Sequence, residues 1–220
     1  MMKKTEIFDY RLYHKRYLPH IQPVDAVLFV TYCLAFKYPG KFYAQLQKRK
    51  IRFQESIKNI SKKEKTKKAE IFNKKQFDFT DNFIANFKDS PEWLSDGKIA
   101  EIVKYSLLFQ DKNEYDLLCY CIMPNHVHIL IKPLLKSEGK PHPLFPIMQK
   151  HKSYTAVEAN KILNRSGKFW QHSYYDHYVR DEKEYFNIIR CILNNPVKAR
   201  FVEKYKDCEY SWVYDEYFEM

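Results

Sequence analysis

Residues 115–132 read YDLLCYCIMPNHVHILIK, two apolar runs separated by a Met-Pro-Asn turn. Apolar runs of this length on either side of a Pro-Asn turn predict two adjacent strands, at 115–123 and 126–132. Side chains two residues apart on a strand share a face, so His126 and His128 point the same way. Two neighbouring imidazoles can grip a divalent metal and leave positions open for a phosphate. Structural histidines are the alternative interpretation of such a pair taken alone.

The rest of the chain carries further strand and helix patterns. Elements are predicted at 26–34 (strand), 91–110 and 146–163 (helices) and 170–179 (extended and aromatic). A last helix is predicted to begin at Asp181, because Glu184 three residues later forms a capping box with it. Pro196 ends that helix, since the residue before a proline is disfavoured in helical conformation.

The positive charge is concentrated in one stretch of the chain. The 220 residues carry a formal net charge of +11, and residues 41–76 alone hold 13 Lys or Arg against three Glu. Apolar residues at helical spacing predict a helix with one apolar stripe there. The excess of charge favours phosphate contact, with Lys62 and Lys63 as candidate nucleic-acid-binding residues. A solvated charged helix is the alternative, and binding to an anionic membrane is weaker because no strongly apolar face accompanies the charge.

Several classes of protein are disfavoured by composition. The longest apolar run, residues 117–123, is too short to span a bilayer, and no apolar signal region follows the N-terminus, so we expect a cytoplasmic protein with no membrane association. Five cysteines without a signal peptide do not make a disulfide framework. Gly-rich phosphate loops are absent from the sequence, which argues against a nucleotide-cofactor enzyme.

Short motifs in sequence order resemble one family. Residues 123–130 (MPNHVHIL) resemble the HUH signature of the REP-associated tyrosine transposases, which are single-tyrosine HUH transposases acting on single-stranded DNA. Residues 194–199 (NNPVKA) are similar to the closing motif of that family. Weaker resemblances lie at 16–20 (RYLPH), 29–31 (FVT), 91–94 (PEWL), 169–171 (FWQ), 174–177 (YYDH) and 179–181 (VRD). The resemblance extends over most of 11–214 except the basic stretch.

The resemblance implies a fold and a site. The fold is α+β: one ferredoxin-like domain over 1–220, with helices packed on one face of an antiparallel sheet, the HUH motif on a central strand and a basic helical insertion at about 41–90. His126 and His128 would bind Mg²⁺ or Mn²⁺, and Asn195 would complete the metal site. The implied partner is DNA, a hairpin with a single-stranded flank, and the implied activity is strand cleavage and transfer in DNA transposition. Whether the protein is a monomer or a homodimer stays open.

The chain departs from the family pattern at the nucleophile. Four residues before Asn195, where the family has its catalytic tyrosine, stands Cys191. A thiol is shorter than a phenol, so cysteine itself is a weak candidate. Three alternatives remain: another tyrosine substitutes, metal-activated water hydrolyses the strand, or cutting is lost and only nucleic-acid binding remains. The substitute candidates are Tyr185, Tyr174, Tyr175 and Tyr178, and Tyr185 is disfavoured because it lies about 120° round the helix from Cys191.

Further nucleic-acid contacts are expected in and just after the helix predicted at 146–163. Lys152, Arg165 and Lys168 occupy positions suited to phosphate contact, with solvated surface as the alternative. Trp170 and the tyrosines after it are candidates for stacking on unpaired bases, with a place in the core as the alternative.

Overall fold

The computed structural model describes residues 22–214 of the chain. Residues 16–20, part of the family resemblance, lie outside this range. The described chain forms two compact units. One, here called the α+β unit, comprises residues 22–34 and 92–214, and the other, the helical unit, comprises Ala35–Pro91. The basic insertion predicted at 41–90 falls within the helical unit.

The secondary structure consists of five strands and six α-helices among the described residues. The strands are β1 (Leu28–Cys33), β2 (Tyr115–Ile122), β3 (His126–Pro133), β4 (Tyr175–Tyr178) and β5 (Ser211–Val213). The helices are α1 (Gly40–Ser56), α2 (Lys62–Asn86), α3 (Gly97–Gln110), α4 (Leu144–Ile162), α5 (Glu182–Leu193) and α6 (Asn195–Lys198).

The α+β unit is built on one antiparallel sheet with the order β4-β1-β3-β2-β5. The predicted α+β fold is confirmed, and the two histidines lie on the central strand β3. The turn between β2 and β3 is closed by hydrogen bonds, including one from the Met123 amide to the His126 carbonyl at 2.8 Å. A β-bulge between Leu117 and Cys119 shifts the register of β2 against β3 by one residue. The bulge keeps the apolar side chains of β2 on the core face on both sides of it.

Helices α3 and α4 cover one face of this sheet, as the fold prediction required. Val127, Ile129 and Ile131 of β3 are fully or almost fully buried in a core that also contains Val103 of α3 and Met148 of α4. The helix predicted at 91–110 begins later than expected, at Gly97. A 3₁₀ turn, Trp93–Ser95, precedes it, and the Asp96 carboxylate caps α3 by accepting from the Lys98 amide at 2.9 Å.

Helix α5 lies on the opposite face of the sheet, the face that carries the histidines. Its buried side chains are Ile189, Ile192 and Leu193, which belong to no part of the α3–α4 core, and it packs against β2, β3 and β5. The Asp181 carboxylate caps α5 as predicted, accepting from the Glu184 amide at 2.8 Å. The second half of the expected capping box is replaced, because the Glu184 carboxylate accepts from the Arg180 amide instead of the Asp181 amide.

The helical unit is a hairpin of α1 and α2. Its interior is aromatic: Phe42 stacks on Phe79 with ring centroids 5.4 Å apart, and Phe53 stacks on Phe72 at 4.2 Å. The first pair joins the start of α1 to the later part of α2, and the second joins the end of α1 to the first half of α2, so the two helices run antiparallel. The single helix predicted for 41–76 is therefore two, divided at Ser61, which forms a capping box with Glu64.

A helix that crosses a membrane must be about 20 residues long and predominantly apolar. Among residues 22–214, no helix is both long and apolar enough to cross a membrane.

Candidate metal centre

The pairing of β3 with its neighbours fixes the position of the two histidines. His126 lies opposite Cys33 of β1, and His128 lies between Thr31 of β1 and Cys121 of β2. Both imidazoles therefore project from the α5 face of the sheet, as their spacing predicts. Their ring centroids are 4.7 Å apart with planes at 83°, and each side chain is 1% exposed. The structure thus brings the two predicted metal ligands side by side in a buried site.

The ring of His126 is oriented by the residue that precedes it. Its Nδ1 lies 2.6 Å from the side-chain oxygen of Asn125. A carbonyl oxygen can only accept, so Nδ1 carries the proton and Nε2 presents a lone pair. Metal-binding histidines commonly have this arrangement, in which a hydrogen bond at one nitrogen sets the other as ligand.

His128 has an equivalent partner on the neighbouring strand. Its Nδ1 lies 2.7 Å from the Thr31 hydroxyl, and the ring stacks on Phe29 with centroids 5.9 Å apart. Burial, and then the nearby charge of Lys198, lowers the pKa of His128 to about 3. The imidazole is therefore neutral near pH 7, which is the form that binds metal. The donor set, two buried imidazoles that are each hydrogen-bonded at Nδ1, fits a divalent cation.

Cys191 and Asn195 are also brought together. The Asn195 amide nitrogen donates to the Cys191 carbonyl at 2.8 Å across the break between α5 and α6, so the two residues lie one turn apart. Asn195 is 7% exposed and Cys191 is half-buried. With its nitrogen bonded to the helix, Asn195 keeps its side-chain oxygen as the donor atom that a metal would use. The effect of Lys198 on His128 links α6 electrostatically to the histidine pair.

The candidate substitute tyrosines occupy different places. Tyr185 packs edge-on against Phe186 in α5, with centroids 5.4 Å apart. Tyr175 lies opposite Thr31, which itself lies opposite His128, so the three residues form one row across the same face of the sheet. Phe29 bridges this row, since it contacts Tyr175 at 6.2 Å as well as His128. Among the four candidate tyrosines, strand register therefore favours Tyr175 as the substitute nucleophile.

The remaining two tyrosine candidates have other surroundings. Tyr178 lies opposite Leu28, whose side chain belongs to the α3–α4 core, so it faces away from the histidines. Tyr174 packs against that same core, and burial raises the pKa of its phenol. A raised pKa makes deprotonation harder, which disfavours Tyr174 as a nucleophile.

Two predicted nucleic-acid-binding residues have structural roles instead. Lys152 donates from Nζ to the carbonyls of Gln171 at 2.6 Å and His172 at 3.1 Å, and burial lowers its pKa to about 8. Trp170 is 6% exposed, and its indole nitrogen donates to the Thr155 hydroxyl at 2.9 Å. Trp170 is thus a core residue with no face offered to a base, and Lys152 holds the loop that follows it.

The other predicted phosphate contacts lie nearer the surface. Arg165 sits over the Trp93 ring at 4.1 Å and donates to the Asn160 side chain at 2.8 Å, so its guanidinium is partly engaged. Lys168 is exposed in the loop after α4, and Lys62 and Lys63 are exposed at the start of α2 in the helical unit.

Sequence reasoning missed the residues that orient the site. The sequence places Asn125 in the turn and in the MPNHVHIL motif without giving it a role, and its position next to His126 is the signal that identifies it. Thr31 stands 97 residues before His128, and only strand pairing joins them. Lys198 lies in the NNPVKA motif, where its sign next to a predicted metal ligand was the available signal.

Comparison with known proteins gives three similarities. A Haemophilus influenzae protein named as a REP-associated tyrosine transposase is 28% identical over 102 residues, which are 44% of this chain and 58% of that protein. A second H. influenzae protein, with no stated function, is 32% identical over 95 residues, 36% of this chain and 52% of that one. The chain thus spans little more than half the length of these curated relatives. A solved structure of a REP-associated tyrosine transposase bound to a REP hairpin is 13% identical, with a TM-score of 0.49, covering 93% of this chain and 82% of that one.

The match to a family is broader than the match to any of these relatives. Residues 75–194 match the family described as Transposase IS200 like, a span that is more than half of the chain. The matched span includes β2, β3 and α5, and with them both buried histidines and Cys191. On this evidence the chain belongs to the IS200-like transposase family.

Proposed function

We propose that this protein binds DNA that carries a hairpin with a single-stranded flank, and that its buried histidine pair holds Mg²⁺ or Mn²⁺ there. The observation that carries the proposal is the pair itself: two buried imidazoles with ring centroids 4.7 Å apart, each hydrogen-bonded at Nδ1. Such a donor set has no packing purpose in a sheet whose other buried residues are mainly apolar. Family membership and the H. influenzae relative named as a REP-associated tyrosine transposase support DNA as the substrate.

Each residue of the metal centre has a separate role in this proposal. His126 and His128 supply Nε2 ligands, and Asn195 supplies an amide oxygen. The metal contributes polarisation of a phosphate oxygen when bound. Thr31 and Asn125 hold the rings so that little reorganisation is needed on binding. Lys198, whose charge acts on His128, also offers a positive group to the phosphate. We further propose that this action takes place in the cytoplasm.

Strand cleavage depends on what replaces the missing tyrosine. If a phenol attacks, its oxygen forms a bond to phosphorus while the bond to the 3′-side oxygen breaks, which leaves a 5′-phosphotyrosine and a free 3′-OH. Tyr175 is the preferred phenol, because it shares a row with Thr31 and His128. Cys191 and Tyr185 are the weaker candidates. Cleavage and strand transfer of this kind would constitute DNA transposition.

The second candidate function is DNA binding without cleavage. Cys191 at the expected tyrosine position favours it, because a thiol on α5 reaches less far than a phenol. A third outcome, hydrolysis by metal-activated water, needs no nucleophilic side chain.

The test uses labelled hairpin DNA with single-stranded flanks, incubated with Mn²⁺ or Mg²⁺ and the full chain. Denaturing gels report cleavage, and intact-protein mass spectrometry reports covalent linkage. An adduct lost in His126→Ala and in Tyr175→Phe, but kept in Tyr185→Phe, supports the phenol mechanism. Cleavage without an adduct identifies activated water. Binding without cleavage identifies a recognition protein, and Cys191→Tyr is then expected to restore an adduct. Failure to bind the hairpin at all would refute the proposal.

A further inference from the structure

A groove runs along the seam between α1 and α2 in the helical unit. It has a volume of about 440 Å³ and is lined on α1 by Arg49, Arg52, Phe53 and Ser56 and on α2 by Lys68, Ile71, Phe72 and Lys75. Its size falls within the range of small-ligand sites. The α1 residues recur at intervals of three and four, as do those of α2, so each set forms one face of its helix. None of the metal-centre residues contributes to this groove.

The floor of the groove is apolar. Phe53 and Phe72 stack on each other with planes 10° apart, which leaves their edges at the groove surface. Ile71 is 49% exposed. Ile71 lies beside Phe53 and Phe72 in the lining of the groove. The floor therefore offers apolar contact to a ligand.

The walls of the groove are cationic, and two of the four cations are held in place. Arg49 donates to the Lys75 carbonyl at 3.0 Å and lies over the Phe79 ring at 4.5 Å. The Lys68 ammonium donates to the Ser56 carbonyl at 3.2 Å. Charged groups fixed in this way lose little conformational entropy when an anion binds.

The other two cations have no compensating charge. Within the described part of the chain, neither Arg52 nor Lys75 forms an ion pair, and no acidic side chain lines the groove. The positive potential of four cations is thus directed at whatever occupies the groove, which selects a polyanion.

We infer that this groove binds a short single-stranded stretch of DNA, its phosphates on Arg52, Lys75 and Lys68 and one unpaired base against Ile71 and the Phe53–Phe72 edges. The combination of cationic walls with an apolar floor distinguishes a single strand from a duplex, whose bases are stacked inside. The lining spans eight residues of each helix, seven rises or about 10 Å, which is long enough for more than one phosphate of a strand to be contacted. The inference rests on the proposed function, since it assigns the single-stranded flank of the same substrate to a second site.

The test measures binding of the full chain to fluorescein-labelled oligo-dT, which has no hairpin, by anisotropy over a range of salt. Arg52→Gln with Lys75→Gln is expected to weaken binding about tenfold or more, and to reduce the slope of log K against log salt by about 1.4, since each single-strand phosphate contact contributes about 0.7. The matched control is Lys37→Gln with Lys88→Gln, which removes the same charge from exposed positions at the other end of the hairpin. An equal loss in the control would overturn the inference, because it would mean that general charge attracts the strand.

A second pair of variants tests the apolar floor. Ile71→Ser is expected to weaken oligo-dT binding several-fold while the salt slope stays unchanged, because no ion is released at an apolar contact. The control is Ile51→Ser, which alters an equally exposed isoleucine outside the groove. Circular dichroism checks that helix content is retained in both. An unchanged affinity in Ile71→Ser, or tighter binding of a mixed-sequence duplex than of oligo-dT, would also overturn the inference.

The two proposals fail separately. If the hairpin is not bound but oligo-dT binding depends on Arg52, Lys75 and Ile71, the groove stands and the proposed hairpin substrate falls. If the hairpin is bound equally with and without its flank, and the groove variants have no effect, only the groove inference is refuted.

Discussion

The two units of this chain differ in where their titratable and charged side chains lie. In the α+β unit, two histidines on or beside the sheet are buried and neutral near pH 7: burial lowers the pKa of both His128 and His151 to about 3. In the helical unit, 13 Lys or Arg within residues 41–76 lie largely at the surface, opposed by three Glu. The two buried histidines thus carry no charge near pH 7, whereas the cations of the helical unit are charged and largely exposed.

This difference determines which changes each unit tolerates. In the α+β unit, strand register determines which side chains meet. The effect of a substitution there depends on the contacts of the residue that is replaced. In the helical unit most of the binding energy is expected to come from the sum of many exposed cations, so single substitutions matter little unless they lie in the groove. Four predictions test this contrast.

The largest effect is expected from a core deletion in the histidine strand. Ile129→Ala removes a side chain that is 1% exposed between β1 and β2 and is expected to lower the free energy of unfolding by about 3 kcal/mol. Ile71→Ala, at a half-exposed position in the helical unit, is expected to change it by less than about 0.5 kcal/mol. Urea unfolding followed by tryptophan fluorescence measures the first change, because Trp93, Trp170 and Trp212 all lie in the α+β unit. Far-UV circular dichroism, to which α1 and α2 contribute, measures the second. Equal effects would contradict the contrast.

The second effect concerns the residue that orients His128. Thr31→Val keeps the shape of the side chain but removes the hydroxyl that lies 2.7 Å from His128 Nδ1. We expect the affinity for Mn²⁺ to fall about 10- to 100-fold, as for other partners of metal-bound histidines. Titration calorimetry measures it, and Thr31→Ser, which retains the hydroxyl, should restore most of the affinity. Full affinity in Thr31→Val would mean that burial alone orients the ring.

The sequence could predict the parts of this site that depend on residues close together in the chain. It could not predict the parts that depend on contacts between distant segments. The two histidines and the strands that carry them were predictable, since face-sharing on one strand is a local property. The Thr31–His128 contact depends on β1–β3 register, which a single sequence does not specify. Trp170 is in the core because of a hydrogen bond to Thr155 on α4, and nothing in its own segment indicates that. β5 has three residues, too few for a pattern, and one of them, Trp212, is 37% exposed.

The helical unit illustrates the opposite limit. Its composition predicted helix and a cationic surface, and both are present. The division into two helices followed from a capping box at Ser61 that the charge pattern obscured. The groove depends on which faces of α1 and α2 meet, a property of packing, so its lining could not be selected from 13 similar cations.

A third prediction concerns the pH dependence of the α+β unit. His151 is buried between the Tyr32 hydroxyl at 2.6 Å and the Ser106 hydroxyl at 2.9 Å, and burial, followed by the charge of Lys152, lowers its pKa to about 3 from an unfolded value of 6.5. Between these values the unfolded chain binds a proton that the folded chain does not. The contribution of His151 to stability is therefore fully present above pH 6.5. Below that pH, this residue lowers the free energy of unfolding by about 1.4 kcal/mol per pH unit.

The measurement is the slope of unfolding free energy between pH 6 and pH 4. His151→Gln is expected to reduce that slope by about 1.4 kcal/mol per pH unit, whatever it does to stability at pH 7. Tyr32→Phe removes the hydrogen bond without removing the titrating group, so it should lower stability and leave the slope unchanged. An unaltered slope in His151→Gln would show that His151 is protonated in the folded protein.

The smallest effect is expected in the helical unit, at its one cation with a fixed planar geometry. Arg49 combines a hydrogen bond to the Lys75 carbonyl with a position over the Phe79 ring, 4.5 Å from the ring centre. Arg49→Lys keeps the charge but loses the planar guanidinium, and is expected to cost about 1 kcal/mol in the opening free energy of the hairpin. Arg52→Lys, one turn further along the same groove, keeps its charge and has no such stacking, so it should cost almost nothing. Hydrogen exchange of the amides in α1 and α2 measures both. If the two variants behave alike, the hairpin is stabilised by its aromatic interior alone, and its cations are free to serve the nucleic acid rather than the fold.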